Sequence, residues 1–282
     1  MDGIILLNKD KDISSFKAIN NLKYKLGLKK VGHAGTLDPL AEGLMIVLTD
    51  NATKLSDLLL KQDKEYVVEC ELGYETDTYD LEGTKTKIFD GEIDLSEEQI
   101  ISEINGFLGE YEQVPPMYSA IKIDGKKLYD LARKGIEVER KSKIVNIHYL
   151  KDIAVSGNKV SFTVFVSSGT YIRSIIRDLG RRLGTYATMT KLVRTKIGKF
   201  DIEESKKIDD IADDNVSINV QDIFDFDRID LDENEYFKMK NGVKIGRAGK
   251  DEYYSVYFNG EYCGIGIIED NVLRRFRYFL GT

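Results

Sequence analysis

The sequence predicts an α+β fold, in which a mixed or antiparallel sheet carries helices on its faces and a small β domain follows. Helical and alternating strand patterns intermingle over the first 200 residues, and β-rich runs flank an Asn259-Gly260 turn near the end. With 282 residues, 42 % of them apolar, the chain can bury a large core and a second small one. We place the domains at 1–228 and 229–282.

The first part of the chain begins with an apolar strand at residues 2–8. Ser14-Ser15 then offers a helix cap, and Gly27 stands where a helix C-terminal glycine is expected. The run Leu44–Leu48 is typical of a buried strand, and from Tyr66 onwards apolar and charged residues alternate as in a half-buried strand.

Farther along, Ser96 with Gln99 forms a capping-box pattern that opens a helix. Two β-rich runs follow at 142–154 and 159–168, and a helix starts near Tyr171. Arginines recur at every fourth position of this helix, which predicts a row of guanidinium groups along one edge: Arg173, Arg177 and Arg181.

Charge is distributed unevenly along the chain, whose net value is −7. Residues 201–235 hold fourteen acidic and three basic residues, whereas residues 170–199 hold eight basic and one acidic residue. Residues 8–30 add seven lysines against two aspartates. The basic segments are typical of phosphate-binding surfaces, although ordinary solvated faces have the same composition. The acidic segment predicts a boundary or an exposed connector.

Several classes of protein are disfavoured by composition. No apolar run approaches the roughly 20 residues that span a bilayer, so we expect no membrane partner. Cys70 and Cys263 are distant in sequence and His33 and His148 are the only histidines, which argues against a disulfide framework or a zinc site. We therefore expect a cytoplasmic protein.

Two motifs have the residues for chemistry. Asp38 precedes a proline in a glycine-punctuated loop, which stiffens the backbone and holds one carboxylate between apolar neighbours. Asp-Pro also simply starts turns, and that interpretation stays open. Arg173 begins a helix, where it can fork onto a carboxylate or face a phosphate from the surface.

These motifs resemble those of a known family. Gly32–Gly43 (GHAGTLDPLAEG) is similar to the signature of the bacterial TruB family, the pseudouridine synthases that act on the T-loop of tRNA. Further segments match in order and at similar spacing: Lys64-Glu65-Tyr66, Pro115–Ala120 (PPMYSA), Gly169–Ser174 (GTYIRS) and Lys191–Thr195 (KLVRT). The resemblance covers residues 2–200. It departs from the family pattern at Asp10 and Asp12, where the family has proline and glycine.

The resemblance implies an enzyme that converts uridine 55 of the T-loop to pseudouridine without a cofactor or metal. Asp38 would be the catalytic group, ion-paired with Arg173, and would either attack C1′ or remove a proton from C2′. Tyr66 would stack on the uracil and assist removal of the C5 proton. From the residues alone, Tyr66 is equally typical of a strand residue facing the core.

Substrate contacts are implied for six further residues. Tyr171 and Leu192 would line the pocket, and His33 would fill the space left by the flipped base, although a hydrogen-bonded loop histidine has the same pattern. We interpret three basic residues as phosphate contacts: Lys9, Arg177 and Arg181. The expected partner is tRNA alone, bound by a monomer that requires no protein partner.

Two other functions remain as alternatives. A module that binds and folds tRNA without modifying it would explain the basic segments, and a guide-RNA-dependent synthase subunit would share the aspartate loop. A carboxylate hydrolase is disfavoured, because no second acid stands at suitable spacing from Asp38.

Overall fold

The computed structural model describes residues 2–119, 121–123, 125–212 and 217–280, so Ala120 of the PPMYSA segment lies outside the described residues. Up to residue 219 the strands are, in order, β1 (Gly3–Lys9), β2 (Val31–His33), β3 (Glu42–Thr49), β4 (Lys64–Leu72), β5 (Tyr74–Thr76), β6 (Lys85–Ile88), β7 (Gly109–Gln113), β8 (Lys122–Ile123), β9 (Lys126–Lys127), β10 (Lys143–Ser156), β11 (Lys159–Val166), β12 (Ala187–Ile197), β13 (Phe200–Asp201) and β14 (Ser217–Asn219).

The helices are short. They are α1 (Ser15–Lys25), α2 (Ser56–Leu60), α3 (Glu97–Asn105), α4 (Leu128–Ala132), α5 (Ile172–Arg182) and α6 (Glu233–Lys240). Within the described ranges, none of them has the length and apolar character needed to cross a membrane.

Ten strands form one mixed sheet, which confirms the predicted fold class. Its order is β14-β1-β3-β12-β4-β11-β10-β7, with β2 paired to β3 and β13 paired to β12. All of these pairings are antiparallel except that of β3 with β12, where Val193 lies opposite Glu42 and Arg194 opposite Gly43. Strands β3, β12 and β4 are neighbours in the middle of this sheet. The motif segments 32–43, 191–195 and 64–66, which lead into or lie on these strands, are therefore brought together.

Local sequence signals explain the elements around the motif loop. The Ser14 side chain accepts a hydrogen bond from the Lys17 amide and so caps α1, while Gly27 ends the helix with a φ of +61°. In β4 the predicted alternation is observed, because Tyr66, Val68, Cys70 and Leu72 are all buried on one face. The helix that precedes the motif loop and the strand β4 thus follow the signals in the sequence.

Part of the acidic segment belongs to the main sheet, so the expectation of an exposed connector is wrong for that part, while the alternative expectation of a boundary stays a prediction. In its described part, β14 extends the main sheet beside β1, and Ile211, Val220 and Ile223 are buried. The apolar side chains that punctuate the acids pack inward, so the charge is displayed on a folded surface instead of a free linker.

A second sheet of five strands follows. Its strands are β15 (Arg228–Leu231), β16 (Ile245–Gly246), β17 (Tyr253–Phe258), β18 (Glu261–Glu269) and β19 (Val272–Phe279), in the order β15-β17-β18-β19-β16. Asn259 and Gly260 both have positive φ and form the predicted hairpin turn. This sheet packs on the first part of the chain: Ile265 and Tyr278 join the apolar cluster of Ile4 and Leu55. Arg277 also binds Asp57, at 2.6 Å.

Candidate active site

The loop that carries Asp38 is fastened to the body of the protein by hydrogen bonds on both sides. The Ser15 hydroxyl accepts from the Leu37 amide and donates to the Leu37 carbonyl, each at 2.8 Å. The Pro39 carbonyl accepts from the Asp12 amide at 2.8 Å. Asp12 has a φ of +63°, a conformation that glycine adopts most easily and aspartate tolerates. The backbone next to Asp38 is therefore held in one geometry.

Arg173 and Asp38 lie together. Arg173 Nη2 is 2.8 Å from Asp38 Oδ2, and the Asp38 side chain remains 37 % exposed whereas that of Arg173 is 8 % exposed. The guanidinium also donates to the carbonyls of Thr78, at 3.0 Å, and Tyr118, at 2.9 Å. The arginine is thus fixed from several sides, and the carboxylate it holds still faces solvent.

A second carboxylate that sequence reasoning missed belongs to the same cluster. Asp80 Oδ2 lies 3.4 Å from Arg173 Nη1, and its side chain is 2 % exposed. It accepts from the Thr78 hydroxyl at 2.6 Å and from the Glu82 amide at 3.0 Å. Burial raises the pKa of Asp80, and the charge of Arg173 opposes that rise. Nothing in the local sequence marks Asp80, because it is one of 48 acidic residues and belongs to none of the motif segments.

Of the three predicted pocket residues, two lie in the apolar core and the third lies near Asp38. Tyr66 and Leu192 are 7 % exposed and share an apolar cluster with Leu37. Tyr171 precedes α5 and is fixed by Gln113, which accepts from its amide and donates to its carbonyl. Burial raises the pKa of Tyr171, and the nearby Asp38 carboxylate acts in the same direction. Tyr171 is thus near Asp38, whereas Tyr66 and Leu192 are buried in the apolar core that also holds Leu37.

His33 ends β2, at the start of the motif loop. Its Nδ1 is buried, and within the described residues it has no hydrogen-bond partner. Burial lowers the pKa of His33, and the charge of Arg194 adds to this effect. The imidazole is thus favoured in its neutral form, without the hydrogen-bonded loop contact that the alternative interpretation expected.

Lys9 is not placed to bind a phosphate, so that expectation is corrected. The side chain is 1 % exposed, and its Nζ donates to the carbonyls of Asp10 at 2.8 Å, Ile13 at 2.7 Å and Pro39 at 3.4 Å. Burial lowers the pKa of Lys9 to about 8, against the opposing charges of Asp10 and Asp38. Its ammonium instead ties the 10–13 loop to Pro39, the neighbour of Asp38.

Comparison with known proteins decides the family. A profile described as "TruB family pseudouridylate synthase (N terminal domain)" matches residues 23–172, and one described as "tRNA pseudouridylate synthase B C-terminal domain" matches residues 173–223. The chain belongs to the TruB family.

Relatives of similar length support this assignment. A protein of Fusobacterium nucleatum named tRNA pseudouridine synthase B is 45 % identical over 99 % of this chain and 100 % of its own length. Proteins of the same name from Mycoplasma mobile and Clostridium tetani are 42 % and 41 % identical, over 97 % and 94 % of this chain and 93 % and 95 % of their own lengths.

Solved structures show the same fold at lower identity. The structure titled "Crystal Structure of a Cbf5-Nop10-Gar1 Complex" has a chain that is 23 % identical, with a TM-score of 0.72 over 99 % of this chain and 81 % of that one. A chain of the archaeal box H/ACA sRNP Nop10-Cbf5 complex gives 23 % identity and a TM-score of 0.69, over 94 % and 78 %. Both likenesses concern the fold alone.

Two other predicted phosphate contacts of this TruB-family chain, Arg177 and Arg181, pair with carboxylates of the protein itself. Arg177 is buried and forms two hydrogen bonds with Asp178, while its Nη1 donates to the Val114 carbonyl. Arg181 forms a two-pronged pair with Glu75, at 2.9 and 2.8 Å. The row of guanidinium groups exists on α5. Arg177 is buried against protein partners, which corrects its expected role, whereas Arg181 pairs with Glu75 but remains 43 % exposed, and its phosphate contact stays a prediction.

Within the described ranges, no three His, Cys, Asp or Glu side chains are grouped so that they could hold a metal ion.

Proposed function

We propose that this protein isomerises uridine to pseudouridine in tRNA, at uridine 55 of the T-loop, with Asp38 as the catalytic group. The observation that carries the proposal is the part-exposed Asp38 carboxylate, held at 2.8 Å by a buried guanidinium in a TruB-family chain. The relatives named tRNA pseudouridine synthase B, which match over nearly the whole chain, support the choice of tRNA.

The reaction fits one ionised carboxylate. The bond between N1 of uracil and C1′ of ribose breaks, the uracil turns in place, and C5 then bonds to C1′. Asp38 either attacks C1′ and is displaced again, or removes a proton from C2′ and later returns it. Arg173 orients Asp38, because its guanidinium lies 2.8 Å from the carboxylate and is itself fixed by two backbone carbonyls. Substrate and product are isomers, so no electron carrier or group donor enters the balance.

The target base must leave its stack to reach Asp38, at a cost of a few kcal/mol. In this proposal the neutral imidazole of His33 takes the space that the base vacates, because a flat uncharged ring can stack on its neighbours. Tyr66, Tyr171 and Leu192 then contact the extruded uracil. The buried, unpartnered Nδ1 of His33 supports this role, since only a ligand or a rearrangement would satisfy it.

The remaining parts of the proposal concern organisation. Residues 1–228 form the catalytic domain, and 229–282 form a small PUA-like domain; the two sheets, each with its own apolar cluster, support this division. The enzyme works as a monomer in the cytoplasm, without a protein partner. Phosphate contacts come from exposed lysines of residues 8–30, such as Lys17 and Lys29.

The decisive experiment uses unmodified tRNA transcript labelled with tritium at C5 of uridine. The purified protein alone is expected to release tritium, with the product mapped to position 55, and Asp38→Asn is expected to bind the transcript without releasing it. Asp94→Asn, an exposed aspartate away from the site, is the matched control and is expected to behave as the wild type. Absence of release by the wild type would favour a binding module or a subunit that needs a guide RNA.

A further inference from the structure

Arg194 of β12 is a buried cation in the KLVRT segment. The side chain is 1 % exposed, and its Nε donates to the Leu44 carbonyl at 2.7 Å and its Nη2 to the Gly35 carbonyl at 3.1 Å. The phenol of Tyr66 lies close enough to raise the pKa of Arg194 against the effect of burial, and Tyr66 stands opposite Arg194 in the pairing of β4 with β12. Among the described side chains no carboxylate pairs with Arg194, so its hydrogen-bond partners are two backbone carbonyls.

Burying the charged guanidinium of Arg194 in these surroundings costs free energy. Burial lowers the pKa of Arg194, and only the contact with Tyr66 opposes that shift. In turn, the charge of Arg194 lowers the pKa of His33 and that of Lys64, which burial brings to about 8. A guanidinium that is buried beside other bases contributes little to stability by its charge. Its presence therefore points to a role in the site.

The contacts of Arg194 join the segments that carry the proposed catalytic groups. Gly35 precedes Asp38 in the motif loop, and Leu44 is the third residue of β3, the strand that follows this loop. Tyr66 lies directly opposite Arg194 in the pairing of β4 with β12. One planar side chain thus binds the loop before Asp38 and the strand after it, and lies opposite the tyrosine.

We propose that Arg194 is a positioning residue, which fixes the Tyr66 phenol relative to the Asp38 loop and stabilises negative charge on the phenol oxygen. The proposal rests on the proposed function. In the last step the phenol of Tyr66 has given its proton to a water molecule and, as a phenolate, takes the C5 proton. The C5–H electron pair becomes the C5–C6 double bond, the second electron pair of the N1–C6 double bond moves to N1, and N1 takes the proton back from that water. A phenolate in a buried site needs a cationic donor, and Arg194 supplies it.

Lysine cannot replace this arginine. The guanidinium presents several N–H donors in one plane, which can reach two carbonyls and the phenol together, whereas an ammonium is a single point donor on a flexible stem. Arg194→Lys therefore keeps the charge and removes the fixed geometry.

A double-mutant cycle tests the proposal on the full chain. Arg194→Lys is compared in the wild type and in Tyr66→Phe, by tritium release from C5-labelled tRNA. In the wild-type background we expect kcat to fall at least tenfold with KM within twofold. In Tyr66→Phe, Arg194→Lys is expected to lower kcat less than threefold, because the phenol is already absent. Equal losses in both backgrounds would show that Arg194 does not act through Tyr66.

Two further measurements keep the outcome interpretable. Lys196→Met, on the same strand and half exposed, is the control and should retain wild-type release. The ¹³C resonance of the labelled Tyr66 phenol carbon, identified by its loss in Tyr66→Phe, is expected to shift in Arg194→Lys. It is measured without substrate, so an unchanged resonance would overturn the contact even if the wild type released no tritium. If Arg194→Lys does not fold, Arg194→Gln, which keeps one planar donor group, takes its place in both measurements.

Discussion

Arg173 Nη2 lies 2.8 Å from Asp38 Oδ2, while Nη1 of the same guanidinium lies 3.4 Å from the buried Asp80. One arginine therefore holds an accessible and an inaccessible carboxylate at once. The buried carboxylate limits where the guanidinium can lie, and the guanidinium in turn fixes the exposed one.

Arg173→Lys is expected to lower turnover by about 100-fold, or ~2.7 kcal/mol in the barrier, because an ammonium cannot bind Asp38, Asp80 and two carbonyls in one plane. Binding of tRNA should change little. Single-turnover formation of pseudouridine measures the effect. Arg182→Lys, at the exposed end of the same helix, serves as the control and should keep wild-type turnover; an equal loss there would point to a general weakness of α5.

Asp80→Asn is expected to reduce turnover by about tenfold, or ~1.4 kcal/mol, with tRNA affinity retained. The amide keeps the shape of the side chain but gives Arg173 no second negative partner, so the guanidinium is less tightly confined. Turnover equal to that of the wild type would show that Asp80 is dispensable for the orientation of Arg173. The exposed Asp94→Asn variant is again the comparison.

Internal and exposed cations should respond differently to substitution. Arg177→Gln leaves Asp178 without its partner and should lower the free energy of unfolding by about 3 kcal/mol, with the salt dependence of tRNA binding unchanged. Lys17→Ser, on the exposed face of α1, should leave stability unchanged and reduce the slope of log affinity against log salt by about 0.7–0.9. Urea unfolding and binding at several salt concentrations measure both quantities. The reverse pattern would return Arg177 to the RNA interface.

The lowered pKa of Lys9 predicts that the free energy of unfolding depends on pH. Its folded-state pKa of about 8 is below the ordinary 10.5, so between these values the unfolded chain holds more protons than the folded one. The contribution of Lys9 to the free energy of unfolding therefore rises as pH increases from 8 to 10.5. Lys9→Met should flatten this rise, measured by urea unfolding between pH 7.5 and 10. Identical slopes in the two proteins would mean that Lys9 titrates normally.

Gly43 is expected to be intolerant of a side chain. A Cβ there would lie 2.5 Å from the Arg194 carbonyl oxygen, and the φ of +103° already disfavours one. Gly43→Ala should lower the free energy of unfolding by at least about 2 kcal/mol. Gly109→Ala is matched to it, because Gly109 also has positive φ but a Cβ would meet nothing within 4 Å. A smaller loss at Gly43 than at Gly109 would contradict the close approach of β3 to β12.

Local patterns in the sequence predicted those features that depend on near neighbours. The cap of α1 at Ser14 and the buried face of β4 follow from spacing of a few residues, and both were found. The juxtaposition of Asp38 with Arg173 was expected only because two separate motifs resemble those of one family. No local rule links these positions.

Burial of charge was the feature that sequence reasoning could not predict. Lys9 and Arg177 are residue types that usually lie on the surface, and each gains, besides its local partners, a carbonyl from a distant segment that helps to compensate its burial. Asp80 was missed for the same reason, since its partner Arg173 comes from a distant helix.

The packing of Ile265 and Tyr278 on the first sheet, together with the Arg277–Asp57 pair, has a consequence for substrate length. Because the small C-terminal sheet packs on the first part of the chain, the fold sets its distance from Asp38. An RNA arm that touches both ends must match that span. An arm lengthened or shortened by a few base pairs would no longer match it.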